Sequence, residues 1–108
     1  MVVLIGAMTQ SAAEDFILPL DFYNRAVLVG EPTAGSSGNP LVVQLPGGGL
    51  FMVCTKRDTY PDGKVFVGKG IQPHIRILNT RQHIIQGHDA VLEKGIEVIK
   101  NWPKYKKN

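Results

Sequence analysis

The sequence predicts an α/β fold: a parallel β-α-β unit, then a β-hairpin, then a C-terminal helix. Three observations carry this. Two short apolar runs, Val2-Val3-Leu4-Ile5 and Ala26-Val27-Leu28-Val29, flank a helix-like stretch from Ala12 to Tyr23. Strands joined through a helix form a parallel pair with a right-handed crossover, and runs this continuously apolar belong to buried strands. Further on, Leu41–Leu45 and Leu50–Thr55 lie on either side of Pro46-Gly47-Gly48-Gly49, the pattern of a hairpin and its turn.

The elements follow in order. The first strand, Val2 to Ile5, leads through a tight turn to Ser11. In the helix from Ala12 to Tyr23, residues Phe16, Ile17, Leu20 and Tyr23 recur at three- and four-residue spacing and form one apolar face. Pro19 lies inside that helix; it lacks an N–H, so a distortion is expected between Asp15 and Pro19. The second strand is Ala26 to Val29, and Gly35-Ser36-Ser37-Gly38-Asn39-Pro40 has loop composition. Both arms of the hairpin are too apolar for simple exposure on one side. After a Pro61-Asp62-Gly63 turn, Lys64–Val67 and Ile75–Leu78 read as short strands. The last helix runs from Asp89 to Asn101 with Leu92, Ile96 and Ile99 on one stripe, and Pro103 stands beyond it as a stop.

With 108 residues, 44% of them hydrophobic, the chain forms one small domain, residues 1–108, ending in a basic tail over 102–108. The net charge of +3 is concentrated there, where Lys100, Lys104, Lys106 and Lys107 surround Trp102 and Tyr105. Cations are favoured after a helix C-terminus, so the tail reads as a solvated end and nucleic acid is not an expected partner. The lone Cys54 sits in a strand-like run, which makes it a buried small residue, and no disulfide can form within the chain. No run reaches the ~20 apolar residues that cross a bilayer, and the N-terminus lacks the charged flank of a signal peptide. The compartment stays open.

Chemistry concentrates at Ser11. At a helix start, unpaired N–H groups and the positive end of the dipole favour developing negative charge, a seat for a nucleophile. The same serine, with Glu14 three positions on, forms a Ser-x-x-Glu capping box. Local spacing leaves both roles open.

Beyond this segment, Arg25-Ala26-Val27-Leu28-Val29-Gly30-Glu31-Pro32-Thr33-Ala34-Gly35 follows in the order strand, serine, helix, strand. That order resembles the catalytic core of the C-terminal processing (tail-specific) serine peptidases and their tricorn-like relatives. In that family a Glu follows the nucleophile in a "SASE"-like motif, matched here by Ser11 and Glu14. Tyr60-Pro61-Asp62-Gly63-Lys64 and Gly68-Lys69-Gly70-Ile71-Gln72-Pro73 resemble its "TPDG" and "GKGIxPD" elements, and Asp89–Lys94 its closing helix. The resemblance spans about residues 2 to 101. It implies a crotonase/ClpP-like core and peptide-bond hydrolysis through an acyl-enzyme on Ser11. The Ala12 N–H beside the nucleophile is the expected oxyanion donor, and Gly35 and Ser36 are candidate substrate-binding residues. A peptide or protein is the substrate class implied, with no cofactor and no metal. Peptidases of this family are considerably longer, so the chain is expected to be the C-terminal part of a catalytic domain that partners the remainder of a parent chain. Surface left uncovered would be hidden by homo-oligomerisation or a strand-swapped dimer through a free sheet edge. Relatives are often extracytoplasmic or periplasmic.

The base is where the pattern departs. The dyad lysine of many members lies twenty-five residues after the nucleophile, which falls on Ser36, and the glutamine four residues later falls on Pro40. A Ser-Lys mechanism is therefore not expected. Tricorn-like members take a histidine from earlier in the chain and an acid near the "GxG" element, where Gly68-Lys69 offers no carboxylate. Glu31 is another conceivable orienter, or a turn residue. His74 stands where the family has aspartate, and His83 and His88 fall in a turn before the last helix. His83 and His88 lack companion ligands at metal-binding spacing, and Lys56 and Lys69 are unfavoured alternative bases. The chain alone is expected to be inactive or nearly so, because a nucleophile without its base loses most of the rate. Two other classes remain: a non-catalytic binding module, as in retinoid-binding relatives, and, more weakly, an acyl-CoA-handling crotonase relative.

Overall fold

A computed structural model describes residues 1–105. Strands β1 (Val2–Ile5) and β2 (Val27–Gly30) pair in parallel, Val2 opposite Val27 and Ile5 opposite Gly30, with helix α1 (Ala12–Phe22) as the crossover between them. Strand β3 (Pro40–Gln44) and strand β4 (Leu50–Cys54) form a separate antiparallel hairpin. Strand β5 (Ile75–Arg76) adds in parallel to the far side of β2, so the first sheet has the order β1-β2-β5. Helices α2 (Arg81–Ile85), α3 (Ala90–Lys100) and α4 (Trp102–Tyr105) complete the described chain.

Strand β2 is central, and its side chains serve two cores. Leu28 packs with Ile5, Ile17, Ala26, Tyr60, Phe66 and Ile71 on the α1 side; Val27 and Val29 pack with Val98 on the α3 side. A strand covered on both faces has no use for alternation, which is why its sequence is continuously apolar. Gly95 lets α3 come close to β1, since a Cβ there would stand 2.8 Å from Leu4 Cδ2. A helical glycine costs about 1 kcal/mol relative to alanine, offset here by that close approach.

Several expectations need correction. Helix α1 runs unbroken through Pro19, and Tyr23 is its C-cap. Residues Lys64–Val67 form no strand: a single bridge joins Thr59 to Val65, and Phe66 is drawn into the core, 1% exposed. Strand β5 is only two residues long, although the Ile77 N–H still reaches the Gly30 carbonyl at 3.0 Å. Helix α3 buries Gly95 and Val98, while Leu92, Ile96 and Ile99 face solvent. The short residues are turned inward because the sheet is too close for the long ones. Pro103 does not end helical structure; it sits in the first turn of α4, where a missing N–H is no loss. His83 lies in α2 rather than in a turn. Of the basic tail, Lys106 and Lys107 lie outside the described residues.

The hairpin departs most. All ten residues of β3 and β4 are exposed, apolar on both faces. Cys54 is accordingly exposed, not buried. The hairpin projects: the radius of gyration is 16.9 Å, against about 13 Å for a compact chain of this length.

Candidate active site

Ser11 stands in the turn into α1 with φ 55° and ψ −125°. Positive φ is disfavoured for a residue with a Cβ and is tolerated where surrounding bonds over-determine it. Those bonds are present. The Ser11 N–H donates to the Ser36 carbonyl at 2.8 Å and to Glu14 Oε2 at 3.2 Å, while its own carbonyl accepts from the N–H groups of Glu14 (2.8 Å) and Asp15 (3.0 Å). Ser11 and Glu14 occupy capping-box positions, but the Glu14 N–H goes to the Ser11 carbonyl rather than to its hydroxyl, so the side chain is left exposed at the head of the helix. The Ala12 N–H has no acceptor among the described residues, and the Ala13 N–H turns back to Gln10. The turn thus presents an exposed hydroxyl beside a free N–H at the start of the helix.

Glu14 does far more than cap. Its carboxylate is fully buried and accepts from four donors: the Ser11 N–H, the Thr33 hydroxyl, the Gly35 N–H at 2.7 Å and the Ser36 N–H at 2.9 Å. Thr33 Oγ1 in turn accepts from the Ile71 N–H at 2.7 Å. One carboxylate thus ties the serine turn to the Gly-rich loop after β2, and through Thr33 to the Gly68–Ile71 turn. Gly70 is required at that junction: with φ +78°, a Cβ would lie 2.0 Å from the Thr33 carbonyl oxygen. Gly35 has both polar groups engaged, its N–H by Glu14 and its carbonyl by the Gly68 N–H. Ser36 keeps an exposed side chain.

A cleft of about 320 Å³ opens at Ser11, lined also by Gln10, Ser36–Gly38 and, from the hairpin, Pro40, Met52 and Cys54. The buried Ser37 hydroxyl lies 3.0 Å from Asp15 and 2.9 Å from Asp58, and Lys56 Nζ lies 2.9 Å from Asp58. With one proton to give, Ser37 donates to one carboxylate at a time. The hydrogen bond to Asp58 raises the Lys56 pKa above the ordinary lysine value, which opposes its use as a base.

The histidines serve elsewhere. His74 Nδ1 accepts the Leu28 N–H at 2.9 Å, and Nε2 meets Asp21 Oδ1 at 3.1 Å, so both ring nitrogens are occupied. Asp21 stands ten residues along from Ser11, about 15 Å of helix rise. His83 bonds the Thr80 N–H and His88 pairs with Glu93, both around the starts of α2 and α3. The Glu31 N–H extends the β1-β2 pairing by donating to the Ile5 carbonyl at 3.1 Å, which fits a turn role.

Of the residues singled out in the sequence, Ser11 and Ser36 line the cleft, Ala12 adjoins it, and Gly35 does not line it; the reach of Glu14 to Thr33, the Ser37–Asp15–Asp58 cluster and Cys54 at the cleft were not anticipated. The available signal was an acid at the third helical position followed by a Gly-rich loop carrying a threonine.

An exposed serine at the head of a parallel β-α-β unit, facing a cleft, defines the class: an α/β fold with a strained strand-to-helix serine turn. The particular family follows from sequence. Residues 1–77 match the family described as Peptidase family S41, and the chain belongs to it. Its fold is shared by the tricorn protease, at 15% identity over 91% of this chain and 10% of that one, TM-score 0.82. Mature CPAF complexed with lactacystin is similar at 28% identity over 90% of this chain and 19% of that one, TM-score 0.77. The photosystem II D1 C-terminal processing protease is similar at 30% identity over 70% of this chain and 20% of that one, TM-score 0.58. The chain spans a fifth or less of the length of these three.

Proposed function

We propose that this chain carries the nucleophile half of a serine endopeptidase site, with Ser11 as nucleophile and the Ala12 N–H as one oxyanion donor. The observation that carries it is the strained φ of Ser11, which leaves the hydroxyl free and the Ala12 N–H without an acceptor at the mouth of a cleft. In this reading Ser11 Oγ attacks a peptide carbonyl, its proton passes to an imidazole or amine base, the C–N bond breaks with that proton leaving on the amine, and water releases the acyl group. The loop Ser36–Gly38 is the source for a second oxyanion donor. The base comes from further chain of the same protein or from a second copy, and a peptide or protein is the substrate.

A second reading is favoured by one observation: no imidazole, ammonium or carboxylate among the described residues caps the Ser11 hydroxyl, and Ser36 stands where a dyad lysine would. The domain would then hold a peptide without turning it over.

Fluorophosphonate labelling read by intact mass separates the two. On this chain the expected result is slow labelling that free imidazole accelerates and Ser11→Ala abolishes. Absence of Ser11-dependent labelling with and without imidazole, in a folded sample, would put the binding module first.

A further inference from the structure

The structure assigns His74 to a proton-operated latch: while its imidazole is neutral it holds the Leu28 backbone of β2, and on protonation it lets go, freeing the start of β5 from the sheet.

The tautomer follows from the partners. The Leu28 N–H can only donate, so His74 Nδ1, 2.9 Å away, carries no proton. The ring proton is therefore on Nε2, where it is donated to Asp21 Oδ1 at 3.1 Å. The His74 N–H in turn donates to the Leu28 carbonyl at 2.9 Å. His74 alone thus satisfies both backbone groups of Leu28, with its side chain standing in for a strand carbonyl. Regular pairing of β2 with β5 starts only beyond it, at Val29 opposite Ile75.

One nitrogen cannot both accept the Leu28 N–H and bind a proton. An imidazolium sets two N–H groups face to face and leaves the Leu28 donor without an acceptor at a fully buried residue. Protons can reach the ring, because the His74 side chain is 21% exposed. The groups facing it are Asp21 from α1 and, through Asp21, Tyr60 and Lys64 from the loop before β5; β2 brings no charge. Burial raises the Asp21 pKa, but the hydrogen bonds from His74 and Tyr60 bring it below the ordinary aspartate value, so Asp21 stays a carboxylate in mild acid. Burial and Asp21 push the Tyr60 phenol up, and it stays protonated. Lys64 Nζ stands 5.1 Å from the centre of the Tyr60 ring, on the far side from no second carboxylate pair. Imidazole is the group whose ordinary range lies between about pH 5 and pH 8. Once charged, the ring is retained by Asp21 through Nε2, so it stays with α1 and releases β2. With only two residues in β5, little else holds that edge.

The test is NMR of the isotope-labelled chain from about pH 8 to about pH 5. Long-range nitrogen–proton correlations are expected to show His74 as the Nε2–H tautomer at the upper end and to follow its protonation. Across that step, hydrogen exchange of the Leu28 amide, taken as a ratio to the Val27 amide, is expected to speed up about tenfold. Val27 serves as the internal control because its N–H donates to the Met1 carbonyl on the other side of β2, and the ratio cancels the ordinary pH dependence of exchange. His74→Asn offers an amide oxygen near the Nδ1 position and takes up no proton, so its ratio is expected to stay flat. If that variant fails to fold, the wild-type titration still decides. An Nδ1–H tautomer at the upper end, a ring that stays neutral throughout, or a ratio unchanged across the protonation overturns the latch, as does a His74→Asn ratio that climbs like that of wild type. None of these readouts involves Ser11, so the latch and the peptidase reading fail separately.

Discussion

At Ser11, backbone strain and hydroxyl freedom are the same fact. The turn holds φ at 55° because Ser36, Glu14 and Asp15 fix the groups on either side. A serine at such a φ is disfavoured by about 1 kcal/mol, and glycine is not. Ser11→Gly is therefore expected to be more stable than Ser11→Ala by about 1 kcal/mol in urea unfolding, although both remove the hydroxyl. Equal midpoints would mean that the turn stores no strain. Glu14 shows what spacing could and could not disclose. Its position three residues after the serine made the local cap legible. Its bonds to Thr33, Gly35 and Ser36 bridge about twenty residues of chain, and no periodicity carries information across that distance.

Between elements, Asp21 joins the last turn of α1 to the loop at Tyr60 and to His74, whose other nitrogen holds the Leu28 N–H of β2. Burial pushes the Asp21 carboxyl up, but the hydrogen bonds from His74 and Tyr60 outweigh it and hold its pKa below the ordinary aspartate value. A depressed carboxylate contributes stability above its unfolded pKa of about 3.9, and loses it as pH falls through the folded value. Asp21→Asn is therefore expected to cost about 1–3 kcal/mol at pH 7, with the gap to wild type closing below about pH 4. A gap that persists unchanged to pH 2 would remove the charge from the account. The elements themselves were largely legible: β1, α1, β2, both hairpin arms and α3 fall within a residue or two of expectation, because apolar runs, the turn glycines and the Asp89 cap are local signals. Which face of α3 is buried was not, because Gly95 packing on Leu4 is a tertiary fact. Phe66 was drawn from a strand pattern into the core for the same reason.

For the whole molecule, the hairpin sets the behaviour. A two-stranded sheet is marginal alone in water, and here its face away from the cleft presents Leu41, Val43, Phe51 and Val53, each 40–54% exposed. None of these four belongs to either buried core. Their contribution to folding is confined to cross-strand pairs, worth about 0.2–1 kcal/mol each, while their exposed area favours association between copies. Val43→Thr with Phe51→Thr removes one such pair and keeps the β-propensity of the strands. The double variant is expected to lose no more than about 1 kcal/mol in urea unfolding, and to remain monomeric at concentrations where wild type self-associates by light scattering. A loss of about 3 kcal/mol or more would place these side chains in a core. Unchanged association would move its source to the other exposed apolar stripe, Leu92, Ile96 and Ile99 on α3.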